Sequence, residues 1–361
     1  MELVFKNLLN NNLVLLHQKY IYTKLIILVS LVFTIVSCDK TPDNPSISDV
    51  PTDTSAHGIF ICNEGNFQWG NASLSFYNSA NSSIQEDVFK SYNQRGLGDV
   101  LQSMSIIGEE AYLVVNNSQK IEVMNAKTFK SIAMITGFNS PRYLLSLGSD
   151  KAYVSDLYEK AIWIVNLKSK QINGKINIAS WTEEMVYRNN KAYICGRTSK
   201  YVYVVNTLTD QLIDSINIGY GAQNMVLDQT EKIWVLTVGK DAIAAQLLCI
   251  GTSGSLANSF HFSNGSIPNK LICNPNKTKI YWINKDIYAM NIDANQLPTI
   301  PIISAEGKNF YAIGYNPNQK EILASDAKDY VQKSEIYRYD TVGNLKGNFK
   351  AGINATYFYS K

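Results

Sequence analysis

The chain has 361 residues, 45% hydrophobic and 17% charged, with a net charge of +3. Its 22 Tyr, 13 Phe and 5 Trp beside only 9 Pro argue for ordered β structure and against disorder. Lys6, Lys19 and Lys24 against Glu2 put a net +2 into residues 1–37, leaving +1 for the remainder; with no basic run or face, a nucleic-acid footprint is excluded.

Residues 1–37 read as an address, not as part of a fold. Behind Lys19 and Lys24, residues 25–35 form an 11-residue apolar core, too short for a permanent span. It runs into Ile35-Val36-Ser37-Cys38, which resembles the bacterial lipobox. The expectation is a lipoprotein signal peptide over 1–37, cleaved before Cys38, whose thiol and new amine carry the lipid. The alternative is an ordinary secretory signal that contains a Cys. The stretch ahead of Lys19 is long for the charged lead of such a signal, which points to initiation further in. Residues 39–57 are rich in Pro, Asp, Ser and Thr and lack apolar periodicity, so 38–57 reads as a lipidated Cys and flexible tether.

From residue 58 onward one phrase recurs: a small or apolar residue, an aromatic and an aliphatic strand. It appears as Ala111-Tyr112-Leu113-Val114, Ala152-Tyr153-Val154, Ala192-Tyr193-Ile194, Ile233-Trp234-Val235 and Ile280-Tyr281-Trp282, with Ile322-Leu323 as a degenerate copy. The positions 112, 153, 193, 234, 281 and 322 are 41, 40, 41, 47 and 41 residues apart. A period near 40 with about four short strands per unit marks a β-propeller blade. In 139–181 the strands are predicted at 142–147, 152–156, 161–167 and 171–178, inner to outer. Third strands such as Val202-Tyr203-Val204-Val205 are apolar at consecutive positions, as expected when neighbouring blades cover both faces.

Seven units are counted. The first opens at Gly58-Ile59-Phe60-Ile61, which aligns with second strands, whereas Ala355-Thr356-Tyr357-Phe358-Tyr359 aligns with first strands. The expected fold over 58–361 is therefore all-β: a seven-bladed β-propeller of four-stranded antiparallel blades, its ring closed by the C-terminal strand joining the first blade. Cys62, Cys195, Cys249 and Cys273 lie inside apolar strands without CxxC spacing. They read as buried thiols, and only Cys249 and Cys273, in adjacent repeats, are placed to meet.

In this strand order the loop entering each inner strand and the loop between second and third strands emerge on one face, and function concentrates on loops held by a scaffold. The candidates there are Asn63, Glu64, Phe67 and Trp69 in the longest loop; Asn116, Tyr158 and Arg197 in later second-to-third loops; Arg142, Trp181, Tyr220, Gln223, Tyr311 and Tyr357 at inner-strand entries; and Tyr330 in the last blade. Aromatic platforms with amides and a few charges suit a large neutral or amphipathic ligand.

Catalysis is not supported by the sequence. Only His57 and His261 follow the signal segment, so no histidine cluster can hold a metal, and His261 lacks a GxSxG or comparable partner. Of Glu183 and Glu184, adjacent on a strand, at most one is expected to reach the bowl. Asp326 and Asp329 lack the oxygen-ligand spacing of an EF-hand. No catalytic residue, metal or cofactor is assigned.

With its lipobox, its repeat and an opening strand reading Gly58-Ile59-Phe60-Ile61-Cys62-Asn63-Glu64-Gly65-Asn66, the chain resembles the YncE-like seven-bladed propeller lipoproteins of Bacteroidetes. Within them it is most similar to the BtuG-type surface cobalamin-binding proteins, which open with a comparable aliphatic-x-Asn-Glu-Gly-Asn phrase. The resemblance covers 58–361. It implies a lipid-anchored protein of the outer-membrane surface that binds cobalamin or a related corrinoid and passes it to a TonB-dependent transporter. A corrin's apolar face, amide rim and nucleotide phosphate would meet aromatics, amides and Arg. With no His to replace the lower cobalt ligand, the corrinoid would bind base-on. The alternative is a propeller lipoprotein that takes another ligand (siderophore, glycan or peptide) or serves as a protein-interaction scaffold.

Overall fold

The computed structural model describes residues 57–361. The predicted signal peptide, Cys38 and the tether up to residue 56 lie outside the described residues. The described chain forms 27 strands in seven antiparallel sheets, the expected seven-bladed propeller. Blade 1 is built from Gly58–Asn63, Ser73–Asn78 and Ser83–Gln85, with Ala355–Ser360 as its inner strand. The inner strands of blades 2 to 7 are Leu101–Ile107, Pro141–Ser146, Thr182–Arg188, Ala222–Leu227, Asn269–Cys273 and Phe310–Asn316. They follow one another around the axis in chain order, and Ala355–Ser360 sits between the inner strands of blades 7 and 2.

Closure follows the sequence register. Ile59 pairs with Ser360, Phe60 with Tyr359, Ile61 with Phe358 and Cys62 with Tyr357. Blade 3 has strands Pro141–Ser146, Lys151–Asp156, Ala161–Asn166 and Gln171–Asn177, each within a residue of its predicted limits. Blade 6 is simpler, with three strands and a single bridge from Ile287 to Ile303 in the outer position. Pro298 and Pro301 in that segment lack the N–H a ladder needs.

The recurring aromatics hold the ring together because each is buried between two blades. Tyr112, Tyr153 and Trp234 are fully buried, and Tyr193 and Tyr281 nearly so. Tyr112 and Val114 of blade 2, for example, pack with Leu144, Val154 and Val165 of blade 3. A buried Tyr needs a partner for its hydroxyl, and several find it in the next blade. Lys170 of blade 3 donates to Tyr112 Oη at 2.8 Å, and Tyr153 donates to Asp210 of blade 4. Arg188 donates to Tyr193 Oη at 2.7 Å and to the Glu231 carbonyl of blade 5 at 2.7 Å. Third strand Val202-Tyr203-Val204-Val205 is buried at all four positions, whereas outer strand Gln171–Asn177 is largely exposed and alternates, as a sheet edge facing water should. The four cysteines among the described residues are free, Cys62, Cys195 and Cys249 buried as expected and Cys273 only half-buried, so Cys249 and Cys273 do not pair.

Candidate functional site

Every inner strand carries a β-bulge near its start. The register slips between Leu101 and Ser103, Pro141 and Leu144, Thr182 and Met185, Ala222 and Asn224, Asn269 and Ile272, and Phe310 and Ala312. In blade 1 it slips opposite Cys62 and Asn63, leaving Thr356 unpaired. A bulge bends the strand and re-aims a side chain that would otherwise alternate. The bulged segments place Gln102, Arg142, Glu183, Gln223, Lys270, Tyr311 and Thr356 on the wall of one axial bowl, one residue per blade. The bowl holds a cavity of about 600 Å³, within the range of small-molecule sites.

Of the residues expected from sequence, Glu64, Phe67, Asn116, Arg142, Tyr158, Arg197, Gln223, Tyr311 and Tyr330 line this bowl. The other five do not. Asn63 is buried in the seam between blades 1 and 7, where its amide donates to Ser75 Oγ at 3.0 Å and accepts from Gly352 N at 3.1 Å. Trp69 stands outside the cavity, 76% exposed. Trp181 is a rim residue that meets Tyr158 edge-on at 5.3 Å. Tyr220 lies under Lys240 Nζ at 5.2 Å. Tyr357 lines a second axial cavity of about 470 Å³, which shares Tyr143, Lys270 and Thr356 with the bowl. Asn116 lines the bowl, but its amide is taken up by Ser140 Oγ at 2.8 Å and the Pro141 carbonyl at 2.9 Å.

The opening phrase Asn63-Glu64-Gly65-Asn66 has one task per residue. Asn63 closes the seam, and Glu64 enters the bowl to accept from Tyr311 Oη at 2.6 Å. Gly65 takes φ +75°, where a Cβ would lie 2.3 Å from Asn71 Oδ1, so only glycine fits. Asn66 donates to the Tyr330 carbonyl at 2.9 Å, and Asp99 accepts from Gln68 N at 2.8 Å. These bonds fix the loop that carries Phe67 at the cavity. Tyr311 and Tyr330 meet edge-on at 5.7 Å and continue the aromatic wall.

A charged belt crosses the floor. Arg142 donates from Nε and Nη2 to the two Glu183 oxygens at 2.9 and 3.2 Å and from Nη1 to Gln102, linking blades 2, 3 and 4. Lys270 donates to the Thr356 carbonyl and hydroxyl, both at 3.0 Å; burial lowers its pKa, with Glu64 pulling the other way. Glu183 lines the bowl while Glu184 lines the cavity beneath. One of the pair therefore reaches the bowl, as expected, but the bulge keeps the second on the axis too. Burial pushes the Glu184 carboxyl up to about 7, against the bonds it accepts from Met225 N and Asn224 Nδ2 at 3.0 Å each.

A raised carboxyl pKa means that the fold favours the protonated form. The Glu184 contribution is full below the ordinary carboxylate range and is lost as pH rises to about 7. Glu184→Gln removes the ionisation and keeps one of the two acceptor oxygens, so one of the bonds from Asn224 and Met225 is lost at every pH. The pH-dependent part is separate: the effect of the substitution on stability should be more favourable at pH 8 than at pH 4 by about 1–2 kcal/mol. Urea denaturation at the two pH values checks this, and an equal effect at both would contradict it.

Among the described residues, no group of three or more His, Cys, Asp or Glu could hold a metal ion, and no helix is long and apolar enough to cross a membrane. The sequence expectation left open which of Glu183 and Glu184 reaches the bowl and did not single out Gln102, Lys270 or Thr356. Their signal is positional: they recur 40 to 47 residues apart with Arg142, Gln223 and Tyr311, each near the start of an inner strand.

The described chain is thus a seven-bladed β-propeller with one polar-aromatic bowl on its axis. It belongs to the family described as a domain of unknown function, DUF5074, which matches residues 57–360. Among curated proteins none matches the sequence. A quinonprotein alcohol dehydrogenase-like protein from Bacteroides thetaiotaomicron superposes with a TM-score of 0.67 at 14% identity, over 84% of this chain and 78% of that one. The periplasmic gluconolactonase of Pseudomonas aeruginosa superposes with a TM-score of 0.66 at 9% identity, over 84% and 99%. A functionally unknown protein from Desulfotomaculum acetoxidans gives 0.64 at 13%, over 84% and 98%. At these identities the likeness concerns the fold alone.

Proposed function

We propose that this propeller is a non-catalytic receptor that takes a corrinoid, cobalamin or a near relative, into the axial bowl. It would act from the outer-membrane surface, anchored through Cys38, and hand its cargo to a TonB-dependent transporter. The observation that carries the reading is the ring of seven bulges, which gathers polar and aromatic side chains from every blade around one cavity of about 600 Å³. A flat molecule with a polar rim can meet Phe67, Tyr311 and Tyr330 with its face and Gln223, Asn269 and Arg197 with its edge. The resemblance of the Asn63–Asn66 phrase to BtuG-type proteins names the ligand class, and the lipobox and tether supply the anchor.

The test is calorimetric titration of the 39–361 chain with cyanocobalamin. The expected result is saturable heat at one ligand per chain in the micromolar range or tighter. A folded sample that gives no heat with cyanocobalamin but binds a siderophore, glycan or peptide would replace the corrinoid. Conversion of the ligand, read by chromatography, would overturn the non-catalytic part.

A further inference from the structure

The aromatics of the bowl and its cations without an ion pair come from different blades. Phe67, Phe310, Tyr311 and Tyr330 belong to blades 7 and 1 and Tyr143 and Tyr158 to blade 3, whereas blades 4, 5 and 6 contribute Arg197, Gln223 and Lys270 and no aromatic. The carboxylates that enter the bowl are already engaged. Glu183 is held by two bonds from Arg142, and Glu64 accepts from Tyr311. The cations on the blade 4–6 wall are not neutralised in this way. Neither Arg197 nor Lys270 is in an ion pair among the described residues. Lys270 reaches inward, spending two of its three N–H groups on Thr356 of blade 1 with its Nζ 5.7 Å from the Tyr311 ring centroid, so Arg197 is the cation set wholly apart from the aromatic wall. Arg197 is partly buried beside the cavity, a position that costs hydration without a counter-charge to offset it.

We propose that the bowl is sided: a phosphate group of the ligand is taken up on the wall carrying Arg197 and Lys270, while the flat apolar part lies against the aromatic wall of blades 7 and 1. The proposal deepens the receptor reading and rests on the bowl being the binding site, but it does not require the ligand to be a corrinoid. A guanidinium offers the planar pair of donors that matches two phosphate oxygens, and an ammonium adds a point charge beside it. Gln223, on the strand between them, supplies an amide for the neutral edge of the ligand. For a corrinoid this orients the nucleotide loop toward blades 4–6 and the ring toward Phe67.

Two ligand pairs that differ in the phosphate test the proposal. One is cyanocobalamin against dicyanocobinamide; the other is flavin mononucleotide against riboflavin. Affinities are measured with the native chain, Arg197→Gln and Phe67→Ala. Loss of a charge-assisted contact should weaken the phosphate-bearing member of each pair by about 10-fold or more in Arg197→Gln, while the phosphate-free member stays within about 2-fold. Phe67→Ala should weaken both members of a pair alike. Arg197 sits on a partly solvated loop, so its variant should fold; Lys270→Gln serves as a second variant with the same expected selectivity. If the corrinoids fail to bind but the flavins keep an Arg197-dependent preference, the corrinoid reading falls and the sided bowl stands. If Arg197→Gln and Lys270→Gln affect both members of a pair equally or not at all, or if no member of either pair binds, the proposal is overturned.

Discussion

Deletion of residues 355–361 should leave no folded ring: the truncated protein should aggregate or unfold with no cooperative thermal transition. The tail is the inner strand of blade 1, not an appendage. Its backbone pairs with Gly58–Asn63 over five registered positions. Ser325 Oγ donates to the Ala355 carbonyl at 2.7 Å, which fixes the tail to blade 7. A Cβ at Gly314 of blade 7 would come within 2.5 Å of Phe358 Cβ, so the two inner strands touch closely and Phe358 packs where only glycine leaves room. Lost hydrogen bonds at about 1 kcal/mol each, with the half-buried Tyr357, Phe358 and Tyr359 adding part of the about 1.5–3 kcal/mol of a fully buried side chain, amount to a large share of the ~5–15 kcal/mol by which a domain is normally stable. Removal also bares the Gly58–Asn63 edge of blade 1, which invites pairing with other chains. Gel filtration and thermal denaturation of the truncated chain check the expectation. A monodisperse protein with the parent melting temperature would contradict it.

Arg142→Ala should destabilise the protein by about 3–5 kcal/mol, because it leaves a buried carboxylate without its partner. The Glu183 side chain is only 5% exposed and that of Arg142 19%, so water replaces little of what the guanidinium supplied. The same side chain reaches Gln102 in blade 2, so its removal also loosens the junction of three blades. The double substitution Arg142→Met with Glu183→Gln should recover a large part of the loss, since it removes the stranded charge along with the pair. Urea denaturation of native, single and double variants measures both statements. If the double variant were less stable than Arg142→Ala, the loss would have to come from packing and not from the isolated charge.

The fold was legible because burial writes itself into the sequence. Tyr112, Tyr153, Tyr193, Trp234 and Tyr281 recur at blade spacing since each fills the same inter-blade slot, and the mismatch between the first and last strands announced the closure. The site was legible by position more than by residue. Loop assignment brought Glu64, Phe67, Tyr158, Arg197 and Tyr330 to the correct face, because strand order alone decides which loops share it. It also put Asn63 and Tyr357 in the bowl, where neither lies. Asn63 is consumed by hydrogen bonds in the seam, and Tyr357 lies below Thr356 in the lower cavity. The belt of Arg142, Glu183 and Lys270 depends on bulges, which break the alternation rule at one residue per strand and leave no hydropathy signature. Only alignment of the inner strands with one another would have placed Gln102 and Thr356 beside them.

Hydrogen exchange with and without cyanocobalamin tests most directly whether the axial bowl is the receptor. With ligand, amides of 64–70, 157–159, 197–199 and 328–331 on the bowl face should exchange more slowly, while the opposite-face turns at 108–109, 148–150, 189–190 and 317–320 should not change. Protection confined to the opposite face, or unchanged exchange everywhere at saturating ligand, would contradict the account.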